Sequence, residues 1–104
     1  MVPEDNNPGK EISIGIWGQR HAAFLKNHQP SVYNELFVSG KLQTYLAQID
    51  HNAQEMFDLL VRQLAEQEGA TEQLKSEDQM EWVRKMNSVR NRAIEIVNHE
   101  LIYA

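Results

Sequence analysis

Between residues 41 and 104 the chain contains no proline and a single glycine, Gly69. These are the two residues that most disfavour a helix interior, by about 3 and about 1 kcal/mol relative to alanine. So long a stretch without them predicts long helices, and the apolar spacing agrees. Leu42, Leu46, Ile49, Ala53, Met56, Leu60 and Leu64 recur at intervals of three and four, and Tyr45, Phe57 and Val61 widen the stripe. This is one face of an amphipathic helix over residues 41–68, ended by Gly69. Residues 71–76 read as a turn or a short helical piece. Asp78 opens the last helix, with Glu81 three residues on in a capping-box-like start. Its apolar face is Trp82, Met86, Val89, Ala93 and Val97, flanked by Val83, Ile94, Ile96 and Leu101. At a rise of ~1.5 Å per residue, each long helix approaches about 40 Å.

The three prolines, Pro3, Pro8 and Pro30, all lie in the first third. Residues 1–11, MVPEDNNPGKE, bury nothing apolar and are expected to form a flexible tail. ISIGIW, residues 12–17, alternates in the manner of a short extended arm, and residues 19–28 read as a short helix. Gln29-Pro30 interrupts it, because a residue before proline is driven from the helical region. A second short helix starts at Pro30 or Ser31, runs through Val32, Tyr33, Leu36 and Phe37, and is capped or kinked at Gly40.

The expected fold is all-α, one helical domain over residues 12–104. Two long helices form an antiparallel hairpin, and two short N-terminal helices cover part of its open side. A compact domain of this length is roughly 34 Å across, shorter than either long helix. The hairpin therefore exposes more apolar stripe than the short helices can cover, and a second copy of the chain is the simplest cover. A homodimer is expected, with Trp82, Met86, Leu46, Ile49 and Met56 in its interface.

Fifteen Asp and Glu against ten Lys and Arg give a formal charge of −5. That balance disfavours nonspecific attraction to nucleic acid or anionic membrane. With no cysteine, disulfides and thiolate metal sites are excluded. No apolar run approaches the ~20 residues that span a bilayer, and the polar start lacks a signal-peptide pattern. These features point to a soluble cytoplasmic protein.

Catalytic patterns are missing. His21, His28, His51 and His99 include no pair at the i, i+4 spacing of a helical zinc site. Glu66, Glu68, Glu72, Glu77, Asp78 and Glu81 gather around the hairpin bend, where carboxylates ordinarily stay solvated or favour helix N-termini. Neither phosphate-loop glycine pattern occurs. The chain is expected to be non-enzymatic, without cofactor or small-molecule substrate.

The one basic concentration is residues 84–92, RKMNSVRNR. Arg84, Lys85 and Arg92 fall outside the apolar stripe and are candidates for contacting DNA; an ordinary solvated helix face is the alternative. Arg90 falls within the apolar arc, near Met86 and Val97, where a guanidinium needs a partner because an unpaired buried charge costs several kcal/mol. Asp50, on the facing stripe, is the expected partner for a structural ion pair, with Glu35 as a second candidate.

Three segments, WGQRHAAFLKNHQPSVYNELFVSGKL (residues 17–42), LVRQLAEQEGATEQLK (60–75) and QMEWVRKMNSVRNRAIEIVNHELIY (79–103), resemble the TnpV family of small proteins encoded on bacterial mobile elements. YNELFVSGKL, EGATEQLK and MEWVRKMNSVRNRA are the most specific parts, and residues 1–11 carry little of the likeness. The resemblance implies a transposon-encoded accessory protein of the bacterial cytoplasm, working beside a separate recombinase in excision or its control. It brings no catalytic activity and no DNA-contact residues. Two roles follow as expectations: a DNA-associated excision or regulatory factor, or a homodimeric helical module that binds a recombinase or other element-encoded protein without touching DNA.

Overall fold

A computed structural model describes residues 13–104, and the expected tail over residues 1–11 lies outside them. Among the described residues there is no strand. They form helices α1 (Ile16–His28), α2 (Pro30–Val38), α3 (Leu42–Glu68), α4 (Glu72–Glu77) and α5 (Gln79–Val97), closed by a π-helical turn at Asn98–Ile102. The fold class is all-α.

The boundaries follow local chemistry. Pro30 takes the first position of α2, where its missing N–H is no loss. Gly69 ends α3 with φ of 76°, a left-handed conformation that glycine adopts without steric cost. The Thr71 side chain caps α4 by accepting from the Leu74 N–H, and Asp78 caps α5 by accepting from the Glu81 N–H. Of the arm anticipated at residues 12–17, Ile12 lies outside the described residues, Ser13–Gly15 is irregular, and Ile16 and Trp17 already belong to α1. The helix starts earlier than its apolar pattern suggests because its N-terminus is capped from α3, as described below.

α3 is the spine. α5 lies along it in the opposite direction. Leu64 packs with Val89 and Ala93 near one end, and Ala53 packs with Val97 and Ile102 near the other. Ala53, Val89, Ala93 and Val97 are fully buried; small side chains at these crossings let the two backbones come close. α1 crosses the N-terminal half of α3 and adds Trp17 to the core. Trp17 meets Phe57 with ring centroids 5.7 Å apart, and its indole N–H donates to Gln54 Oε1 at 3.1 Å.

α2 behaves differently from its expected covering role. It buries none of its residues. Tyr33 and Leu36 are half-buried, whereas Val32, Phe37 and Val38 are 40%, 65% and 83% exposed. The molecule measures 54 × 40 × 17 Å, a plate about two helices deep.

Candidate functional site

The basic face of α5 is not a free cationic surface. Arg84 is ion-paired with Glu81. Lys85 lies 3.9 Å from the other Glu81 oxygen and donates to the Glu68 backbone carbonyl at 3.0 Å. Arg92 binds the Glu68 carboxylate at 2.9 Å. Two of these three cations are therefore used to fasten α5 to the C-terminal end of α3, where carbonyls lack helical partners and favour positive charge. The structure brings together Lys85 and Arg92, but around Glu68 and not around an open groove.

The expected Arg90–Asp50 pair does not form. Arg90 is exposed and has no ion pair among the described residues, and Glu35 is exposed as well. The helical wheel places Arg90 correctly in angle. Among the described residues, however, nothing covers this flank of α5, where Arg90 and Val83, 42% exposed, both remain open. Asp50 instead faces α1, and its carboxylate accepts from the Gly18 N–H at 2.9 Å. Gly15, the residue preceding α1, offers no side-chain cap, so α3 supplies the cap across the interface. Gly18 allows the approach. A Cβ there would lie 2.9 Å from the Leu46 carbonyl oxygen and would also collide with the Ile14 side chain.

The residues expected at a dimer seam are mostly consumed within the subunit. Leu46 and Met86 are buried, and Ile49 and Met56 pack on the core around Trp17 and Ala53. Trp82 is half-buried, with the Lys75 ammonium 4.7 Å above its ring. The core takes Leu46, Ile49 and Met56 because α1 and the π-turn close over the same stretch of α3 that the dimer was expected to cover. The large apolar side chains left exposed lie elsewhere, Phe37 and Val38 on α2 and Met80 on α5 among them.

Sequence reasoning missed the role of His21. It is 4% exposed. Its Nδ1–H donates to the Ile102 carbonyl at 2.8 Å, and its Nε2 lies 2.9 Å from the Tyr45 hydroxyl. The carbonyl can only accept, so Nδ1 carries the proton, and in the neutral ring Nε2 accepts from the Tyr45 O–H. One imidazole thus joins α1, α3 and the π-turn. The outer face of α1 was missed too. A cavity of about 450 Å³ is lined by Arg20, Phe24, Asn27, His28 and Tyr103, and one of about 240 Å³ by Ile16, Trp17, Arg20 and Phe57. The available signal was the spacing of Arg20, Phe24 and His28 at four-residue intervals in a helix without a single acid.

Among the described residues no three of His, Asp or Glu gather into a group suited to a metal ion, and no helix is long and apolar enough to cross a membrane. No curated protein and no solved structure matches the chain. The family model described as transposon-encoded protein TnpV matches residues 2–102. With nearly the whole chain inside that match, the protein belongs to the TnpV family of transposon-encoded proteins.

Proposed function

We propose that this chain is a non-enzymatic accessory protein of a mobile element that acts in the cytoplasm by self-association, with residues 12–104 working as one helical unit. The observation that carries the reading is α2, a nine-residue helix that buries none of its residues and presents Val32, Phe37 and Val38 outward. A second copy is the occupant. α2 holds one charge, Glu35, so two such helices can meet through their apolar sides with little charge to desolvate. The α3–α5 hairpin holds this surface out from a plate 17 Å thick. The dimer expected from the sequence is kept, with its contact moved from the long helices to α2.

The ion pairs on Arg84, Lys85 and Arg92 weigh against DNA contact through α5, because a phosphate would have to displace Glu81 or Glu68. Sedimentation equilibrium tests the association. A mass of two chains that falls to one chain in Phe37→Glu, with an unchanged far-ultraviolet spectrum, is the expected result. A single-chain mass at every concentration refutes it, and recovery with a recombinase from the same element would identify a different occupant.

A further inference from the structure

The outer face of α1 stands apart in charge from the rest of the chain. The whole protein carries fifteen acids, yet Ile16–His28 contains none, and outside the buried His21 it holds Arg20, Lys26 and His28. Arg20 lines both cavities described above, one on each side of it along the helix. Among the described residues no carboxylate lines either cavity. On one side lies an aromatic group: Phe24 and His28 have ring centroids 5.2 Å apart, and Phe24 and Tyr103 5.7 Å apart. On the other side the exposed walls are Ile16, 58% exposed, and the half-buried Phe57 ring, while Trp17, 5% exposed, is covered by the Arg20 guanidinium 5.3 Å from its ring centre.

We propose that this face binds single-stranded nucleic acid, with Arg20 holding a backbone phosphate and the two flanking cavities receiving the adjacent bases. The chemistry matches each part. Guanidinium groups grip phosphate oxygens in a planar, two-pronged manner. Aromatic side chains stack with any base, since every base has a flat π-face. The Asn27 amide offers both a donor and an acceptor to a base edge. One cation between two apolar, ring-lined hollows is the proportion of one phosphate between two bases; an acidic peptide would call for several cations and no ring faces. A duplex keeps its base faces stacked inside, so only an unpaired strand can use the hollows. The site stands independently of association through α2.

Fluorescence anisotropy of the full-length protein with a labelled thymidine oligonucleotide of roughly ten residues, within the ~4–16 nucleotides of known single-strand sites, provides the test. Saturable binding is expected at low salt, with log affinity falling against log salt at a slope of about −0.7 for one phosphate contact. Arg20→Gln should weaken binding about tenfold or more, the usual worth of a charge-assisted hydrogen bond. Tyr103→Ser should weaken it about fivefold or more, whereas Tyr103→Phe should bind as the parent does, because the ring is retained. Tyr103 is 50% exposed, and a melting curve matching the parent separates lost binding from lost folding. A double variant, Arg84→Ala with Arg92→Ala, should bind unchanged. The proposal is overturned by absence of binding, by affinity indifferent to Arg20→Gln, by a duplex binding more tightly, by polyglutamate competing equally, or by free thymidine monophosphate matching the oligonucleotide.

Discussion

Two residues facing each other across the α1–α3 interface set how closely the helices pack. At most helical glycines, alanine would add about 1 kcal/mol of stability through propensity alone. Gly18→Ala should do the opposite. The added Cβ meets the Leu46 carbonyl oxygen, part of the backbone of α3, which cannot turn aside as a flexible side chain would. Separating the helices to admit it should cost about 1–3 kcal/mol, read as a melting temperature several degrees lower. Asp50→Ala removes the acceptor for the Gly18 N–H and should cost about 1–2 kcal/mol, the range of a lost helix N-cap. An unchanged melting temperature would show that water replaces the carboxylate without loss. The sequence cannot show this role of Asp50, since the partner N–H lies 32 positions away and becomes a neighbour only after α1 docks.

Among the helices, α2 and α5 show how far a periodicity can be read. The absence of proline, the apolar stripe and Gly69 locate α3 almost to the residue, and Asp78 marks the start of α5. These signals are local, so they survive whatever the tertiary arrangement. Arg90 marks the limit. A helical wheel gives the direction of a side chain but not whether another element stands in that direction, and among the described residues none covers Arg90. The same gap accounts for the cations of α5: Glu68, which holds Lys85 by its carbonyl and Arg92 by its carboxylate, is separated from Arg92 by 24 positions. For α2 the local pattern is correct and its burial is not, because apolar residues at helical spacing describe a face without naming what covers it. Phe37→Glu should therefore leave the stability of the isolated subunit within about 0.5 kcal/mol of the parent, the ordinary effect of a surface change, while abolishing the two-chain mass. A large loss of stability would place Phe37 in a core and remove it from the association surface.

The whole molecule has a radius of gyration of 17.8 Å, against about 13 Å for a compact domain of this size. Its core is correspondingly divided into a group around Trp17 and another around Leu64, bridged by Phe57 and Leu60. Only the first of these depends on both ends of the described chain. The second is built from α3 and α5 alone, elements joined by a short connection, and it can assemble without waiting for distant segments.

The His21 bond to Ile102 spans 81 positions, so α1 and the terminal turn share a latch. When that latch opens by thermal fluctuation, the amides on either side of it lose their shelter at the same moment. Hydrogen–deuterium exchange should register Ile16–His28 and Asn98–Ile102 as one opening unit of common free energy, set below the amides of Leu64 and Val89. His21→Leu should accelerate both segments together and leave the middle of the chain as slow as before. Solvent protons would thus enter this protein where α1 meets the terminal turn.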